Sequence, residues 1–142
     1  MNSPSEHLVL ANGATDEYVN DKTLILDYRP GVKCTHKIFL NLPQFVNNVY
    51  HLPARILDLL ELAGYIFGLD RCISRGRADS VEYHAWSRII TLKQKVRDFS
   101  FWNSDSVKNT LSDVLAFMLG DNKISLLFQP GHETPPVGLF DN

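Results

Sequence analysis

The sequence is poor in the residues that mark several classes of protein. Its 142 residues include only two cysteines, Cys34 and Cys72, and two methionines, too few for a disulfide framework or a soft-metal site. No stretch approaches the roughly 18 apolar residues of a membrane helix, and the N-terminus lacks the basic region of a signal peptide. The formal net charge of −2 gives no general attraction to nucleic acid or anionic lipid. We therefore expect a cytoplasmic protein with no membrane segment.

What remains is the composition of a globular domain. Hydrophobic residues make up 44% of the chain and charged residues 21%, close to the averages for folded proteins. The length suits one domain. We expect a single domain over residues 1–128 and a Gly/Pro-rich linker over 129–136. Residues 137–142 resemble the start of a further strand.

Short apolar or alternating runs predict five strands. Asn12-Gly13 and the segment 29–31 separate the first three runs, and such residues favour turns. We therefore expect antiparallel strands, with the turn at 29–31 closing a hairpin. The predicted strands cover residues 8–11, 23–28, 34–40, 86–96 and 123–128.

Helical periodicity predicts two main helices, Pro53–Arg75 and Ser104–Leu119. In the first helix the spacing predicts an apolar side facing the core, while Arg55, Asp58 and Glu61 lie on the surface. The residues of that apolar side are Ile56, Leu57, Leu60, Ala63, Gly64 and Phe67. The fold class expected from these patterns is α+β, a mostly antiparallel sheet with two main helices packed on one face.

The sequence contains no recognisable catalytic or metal-binding motif. Cys34 and His36 are one residue apart and Cys72 is distant, so the spacing of structural zinc ligands is absent. The serines near His84 do not lie in a strained nucleophile elbow, and no glycine-rich phosphate loop is complete. We therefore predict no catalytic residue, no metal ligand and no cofactor bound by this chain.

The segment from Asp70 to Arg97 is basic, and it supplies most of the candidate binding residues. Arginines there could bind an anionic group, and tryptophans could stack or anchor a partner. Two alternatives stay open, a solvated strand face and ordinary core packing of the aromatic segment 96–102. The candidate residues are Arg71, Arg75, Trp86, Arg88, Arg97 and Trp102.

Several short sequence segments, taken in order, resemble those of one protein family. They are Leu59-Leu60-Glu61-Leu62-Ala63, Asp70-Arg71 with Arg75-Gly76, Trp86-Ser87-Arg88, Val96-Arg97-Asp98 with Phe101-Trp102, and the run 115–121. In this order they are similar to the N-terminal region of the QueC-like proteins of bacterial anti-phage systems, of the QatC type. The resemblance covers roughly residues 52–140.

The resemblance implies an accessory domain placed before an ATP-using domain. In that family the region precedes a PP-loop ATP pyrophosphatase domain related to 7-cyano-7-deazaguanine synthase. Val137–Phe140 match the strand that opens such a domain, but Asp141 and Asn142 stand where the first Ser and Gly of the phosphate loop belong. ATP and Mg²⁺ are therefore implied only for a longer parent protein.

Three functions are consistent with these observations. The first is a non-catalytic accessory domain that recognises a partner protein, or a substrate for the ATP-using domain. The second is a fragment of an ATP-dependent deazaguanine synthase-like enzyme whose PP-loop lies beyond Asn142. The third is a single-stranded nucleic-acid binding module that uses the basic strand and its aromatic residues, although the acidic net charge opposes it.

Overall fold

A computed structural model describes residues 5–29, 31–38, 52–73, 88–120 and 123–131 of the chain. It has five strands and three helices. The strands are β1 (Ser5–Ala11), β2 (Leu24–Asp27), β3 (His36–Lys37), β4 (Arg88–Val96) and β5 (Lys123–Pro130). The helices are α1 (Ala54–Cys72), α2 (Phe99–Trp102) and α3 (Asp105–Leu119).

The sheet is parallel throughout, so the prediction of a mostly antiparallel sheet is wrong. Its strand order is β3-β2-β1-β4-β5, and every pair of neighbouring described strands runs in the same direction. The predicted hairpin is also absent, because β2 and β3 pair in parallel with Leu26 opposite His36. Alternation along a strand indicates which residues share a face, but it carries no information about strand direction.

The connection between β2 and β3 explains how a short loop can join parallel strands. The chain leaves β2 at Asp27 and returns through Gly31, whose φ of 76° lies in the left-handed region that favours glycine. The amide of Thr35 then donates to the carbonyl of Ile25 at 2.8 Å. The amide of Ile38 donates to the carbonyl of Asp27 at 2.8 Å. These bonds hold β3, which is only two residues long, in parallel register with β2.

One face of the sheet carries the core. Paired residues point to the same side, so Val9, Leu92 and Leu126 form one row across β1, β4 and β5. Helix α1 buries Leu62 and Leu69 against this face, and α3 packs Leu111 and Leu115 against the same cluster. The connection from β3 to β4 through α1 and the connection from β4 to β5 through α3 both lead toward the β5 edge of the sheet. Because such connections between parallel strands are right-handed, two that lead in the same direction place their helices on the same face.

The two long helices begin one residue after the positions predicted from sequence. Pro53 and Ser104 are the residues that cap them, and Gly120 ends α3 with a left-handed φ of 70°. Strand β5 continues to Pro130, into the start of the predicted linker. The rest of that linker from residue 132, and the strand expected over 137–142, lie outside the described residues.

The opposite face of the sheet bears no described helix. A cleft of about 590 Å³ lies over it, lined by side chains that include Leu8, Thr91 and Lys93. The ammonium of Lys93 forms an ion pair with Asp16 at 2.5 Å. The hydrogen bond from Lys93 lowers the pKa of the Asp16 carboxyl below its ordinary value. Lys93 and Lys95 are half-buried, as expected for alternate residues of one strand face.

Candidate functional site

A cluster of polar side chains occupies the carboxyl edge of the sheet between β1 and β4. In open α/β sheets this is where the strand order reverses and where ligands commonly bind. Asn12 follows β1, Arg97 follows β4, and Asp58 and Glu61 come from the first half of α1. We call this group the carboxyl-edge cluster; its members are Asn12, Tyr28, Asp58, Glu61, Tyr65, Arg97 and Trp102.

Asp58 binds the chain segment that leaves β4. It is fully buried, and its two oxygens accept the backbone amide of Arg97 at 2.9 and 3.0 Å. The Oδ2 atom also accepts the amide of Asp98 at 2.9 Å and the indole Nε1–H of Trp102 at 3.1 Å. Asp58 therefore positions the turn between β4 and α2.

Glu61 is also enclosed by donors. It is 1% exposed, and its Oε1 accepts from Nη1 of Arg97 at 2.6 Å and from Nδ2 of Asn12 at 3.3 Å. Its Oε2 accepts from Nη2 of Arg97 at 3.2 Å and from the hydroxyl of Tyr28. With four donors around two oxygens, this carboxylate has no acceptor site turned toward solvent. It is therefore built to stabilise the fold rather than to abstract a proton from a substrate.

The surroundings raise the pKa values of three members of the cluster, Arg97, Tyr28 and Tyr65. Burial alone would lower the pKa of Arg97, but the hydrogen bonds and charge of Glu61 and then Asp58 raise it above its ordinary value. Burial, reinforced by nearby carboxylate charges, raises the pKa of Tyr28 and of Tyr65. Arg97 thus stays cationic, and the phenols of Tyr28 and Tyr65 stay neutral.

The raised phenol pKa values predict an alkaline loss of stability. Above pH 10 the unfolded chain releases the protons of Tyr28 and Tyr65 while the folded chain retains them. The free energy of unfolding should therefore fall as the pH rises above 10, by about 1.4 kcal/mol per pH unit for each tyrosine. Urea unfolding between pH 9 and 11 measures this slope.

The double variant Tyr28→Phe/Tyr65→Phe is the control, because every other titrating group is unchanged. Its stability should depend less steeply on pH over the same range. Equal slopes for the two proteins would contradict the neutral, buried state assigned to these phenols.

A second ion pair joins α1 to the other end of β4. Arg88 opens β4 and is fully buried; its Nη2 donates to Asp70 at 2.8 Å and its Nη1 to the carbonyl of Ile73 at 2.9 Å. Arg97 joins the opposite end of the strand to Asp58 and Glu61. Helix α1 is therefore held against β4 by arginines at both ends of the strand.

These two arginines explain why α1 faces the core differently from the sequence prediction. Asp58 and Glu61, expected on the surface, are buried, whereas Ile56 and Phe67, expected in the core, are 40% and 65% exposed. The buried side of the helix therefore contains Asp58 and Glu61 as well as leucines, because both carboxylates pair with Arg97 directly after β4. Its outward side carries what we call the α1 stripe, which consists of Ile56, Leu59, Ala63 and Phe67.

Helix α3 exposes a second apolar group near its C-terminal end. Val114, Phe117 and Met118 are 46%, 88% and 71% exposed, and we call them the α3 patch. Val114 and Met118 lie at helical spacing with Val107, Leu111 and Leu115 in one apolar stripe. The other three residues do pack against the core, so the stripe is wider than the surface it covers.

Gln94 differs from the other polar residues at the carboxyl end of β4. It is fully buried on the helix-bearing face, opposite Ala11 and Phe128 in the neighbouring strands. Neither its Nε2 nor its Oε1 has a hydrogen-bond partner within the part of the chain that the structure describes. A buried amide without partners destabilises the fold by about 1–3 kcal/mol.

Replacing Gln94 with leucine is therefore expected to stabilise the protein, by about 1–3 kcal/mol in urea unfolding, because the unsatisfied amide is removed. Gln129→Leu is the matched control from β5, where the amide exchanges two hydrogen bonds with Thr15. That variant should be neutral or less stable than the wild type. A destabilising Gln94→Leu would mean that this amide makes a contact the fold needs.

The four predicted site residues that the structure describes do not form one surface. Arg88 and Trp102 are buried, and Arg97 is held by Asp58 and Glu61. Arg71 is exposed in the last turn of α1, with its guanidinium carbon 5.5 Å from the centre of the Phe67 ring. The remaining two candidates, Arg75 and Trp86, lie outside the described residues.

Sequence reasoning missed the partners of these arginines. Asp58, Glu61 and Tyr65 recur three and four residues apart, which places them on one side of a helix. That spacing, together with Arg97 directly after a strand, was the available signal for a buried ion-pair cluster. It was overlooked because isolated carboxylates in a helix are usually exposed.

No three His, Cys, Asp or Glu side chains among the described residues come together as a metal-binding group. No helix in the described ranges is long and apolar enough to cross a membrane. Comparisons of the chain with family models, curated proteins and solved structures found no match.

Proposed function

We propose that this chain is a non-catalytic accessory domain of a QueC-like anti-phage protein, and that it acts by recognising another protein. The observation that carries the proposal is that α1 has exposed apolar residues on its outward side. This helix buries Asp58 and Glu61 while leaving Ile56 and Phe67 in solvent. A helix that is apolar on its outward side is typical of an element covered by a further layer.

The charge on the outward side of α1 supports a surface for contact with a protein. The exposed charged residues of α1 are Arg55 and Arg71, near the two ends of the α1 stripe. Arg55 also packs over the ring of Phe101, with 3.7 Å from its guanidinium carbon to the ring centre. An apolar centre with arginines at its margin is the usual composition of a protein interface.

The carboxyl-edge cluster supports the non-catalytic part of the proposal. Its carboxylates are buried, and each is enclosed by donors from the protein itself. A general acid or base must reach a substrate proton, and neither Asp58 nor Glu61 is placed to do so. Among the described residues the cluster therefore contributes stability at the edge where an α/β enzyme would bind its ligand.

Equilibrium dialysis with labelled ATP and Mg²⁺ tests the absence of catalytic function. The 142-residue chain is expected to show no saturable ATP binding at millimolar nucleotide. Saturable binding would mean that the 142-residue chain itself holds the nucleotide, and the proposal of a non-catalytic domain would fail.

The reactivity of an introduced cysteine tests whether the α1 stripe is covered. In a background with Cys34→Ser and Cys72→Ser, Ala63→Cys places one thiol in the stripe. Its reaction with a membrane-permeant maleimide should be several times slower in cells that express the protein from its native locus than in dilute purified protein.

Glu17→Cys, in an exposed loop, is the matched control for this labelling. It should react at the same rate in both settings, and it corrects for differences in reagent concentration. If Ala63→Cys is no more protected in cells than Glu17→Cys, no protein covers the stripe and the proposed function is wrong.

A further inference from the structure

Two apolar surfaces on the same side of the molecule have opposite charge. The exposed charged residues of α1 are Arg55 and Arg71, whereas those of α3 are Asp105 and Asp113. The α1 stripe therefore has arginines near its two ends, whereas the α3 patch has Asp113 directly before it and Asp105 at the start of the same helix. Such a pair of surfaces is complementary in both hydrophobicity and charge.

Among the exposed charges of the two helices, Arg71 lies closest in sequence to Phe67, and Asp113 lies closest to Phe117. Arg71 lies one helical turn after Phe67, and Asp113 directly precedes Val114 and lies four residues before Phe117. Neither charge forms an ion pair with another residue in the described part of the chain. Each is available to a partner that brings the opposite sign.

The topology places the two surfaces side by side and at similar positions along the strand direction. Helices α1 and α3 pack on one face of the sheet, so their outward sides point in the same direction. Each helix follows one parallel strand and precedes the next, so both run from the carboxyl edge to the amino edge. The C-terminal halves that carry Phe67 and Phe117 therefore both lie toward the amino edge.

We infer that the protein covering the α1 stripe is a second copy of this chain, which contributes its α3 patch. This inference rests on the proposed function, because it names the partner of the same surface. A twofold axis running along and between the helices places α1 of one copy over α3 of the other. The same operation brings the second α1 over the first α3, so a closed dimer buries both surfaces of each copy.

Charge favours this crossed pairing over pairing of identical helices. Two α1 stripes in contact would bring arginines together, and two α3 patches would bring Asp105 and Asp113 against their own copies. Like charges across an interface oppose association. In the crossed dimer Arg71 of each copy lies near Asp113 of the other, where the two charges attract. As an accessory domain, such a dimer would hold two ATP-using domains close together.

Sedimentation velocity over a wide concentration range measures the association directly. The wild-type chain is expected to pass from monomer to dimer as its concentration rises. Phe67→Glu and Phe117→Glu should each weaken association by on the order of thirtyfold or more, the effect of losing a central aromatic contact. Both side chains are largely exposed in the single chain, so circular dichroism should show that the variants stay folded.

Mixing the two variants distinguishes the crossed dimer from the alternatives. A mixture of the Phe67→Glu and Phe117→Glu chains retains one intact contact, between α3 of the first and α1 of the second. It should therefore associate more strongly than either variant alone. Pairing of α1 with α1, or of α3 with α3, would leave no such gain and would overturn the inference.

Exchanging the charges of Arg71 and Asp113 provides a second test of the crossed dimer. Arg71→Glu and Asp113→Lys should each weaken the dimer severalfold, and the double variant should recover affinity because the pair is restored with reversed signs. Tyr18→Glu, at a 79% exposed position in a loop, is the control and should leave association unchanged. Failure of the double variant to recover would contradict the contact between Arg71 and Asp113.

The two proposals can fail separately. A chain that stays monomeric at high concentration, with Ala63→Cys still protected in cells, would overturn the dimer and leave recognition of another protein standing. A monomeric chain with no protection of Ala63→Cys would overturn both. A dimer disrupted by Phe67→Glu and by Phe117→Glu, and recovered in their mixture, supports both.

Discussion

Replacing Asp58 with alanine is expected to lower the free energy of unfolding by about 3–5 kcal/mol, which is the typical effect of removing one member of a buried ion pair. The carboxylate is fully buried and accepts bonds from the amides of Arg97 and Asp98 and from the indole of Trp102. Its loss leaves these donors without a partner in a place that water does not reach. Urea unfolding at neutral pH measures the change.

Asp21→Ala is the matched control, because Asp21 is exposed in a turn of the loop between β1 and β2. Its effect should stay within about 0.5 kcal/mol, as for most surface substitutions. If Asp58→Ala and Asp21→Ala have similar effects, the turn after β4 does not depend on Asp58.

The second large effect is expected at Arg88. Replacing it with methionine preserves much of the side chain's volume but leaves the carbonyl of Ile73 and the carboxylate of Asp70 without this donor. Breaking a buried ion pair destabilises a protein by about 3–5 kcal/mol. We expect the lower end of that range, because the side chain of Asp70 is 35% exposed and regains water.

Arg55→Met is the control for Arg88→Met, since Arg55 also forms an ion pair, with Asp98 at 3.1 Å, but is 52% exposed. Its loss should change the stability by at most about 1 kcal/mol. The comparison separates the effect of burial from that of losing a positive charge. An Arg88→Met chain as stable as the wild type would favour the sequence-based interpretation of Arg88 as a binding residue.

The proposed dimer connects these stability effects to function. Asp58, Glu61 and the arginines of β4 determine which side of α1 faces the sheet, and that orientation leaves the α1 stripe outside. Variants that disturb the cluster should therefore affect association as well as folding. The surface variants Phe67→Glu and Phe117→Glu should affect association alone.

The sequence by itself determined the five strands, the two long helices and their order, but not the short helix α2. Alternation in β4 identifies the buried face with Ile90, Leu92 and Val96, because successive side chains of a strand point to opposite sides. Pro53 and Gly120 mark helix boundaries because proline suits a helix start and glycine a left-handed end. These are local effects of backbone geometry, and neighbouring residues are enough to specify them.

Only the tertiary structure decided the direction of the strands and the orientation of α1. Strand direction depends on the path of the connections, and the turn at Gly31 is as compatible with a parallel return as with a hairpin. The orientation of α1 depends on Arg88 and Arg97, which are distant in sequence from their carboxylate partners. Periodicity predicts that apolar residues turn inward, and Leu57 does, but the paired charges Asp58 and Glu61 share the buried side while Ile56 and Phe67 stay exposed. The exposed stripe, and with it the proposed interface, follows from this long-range pairing.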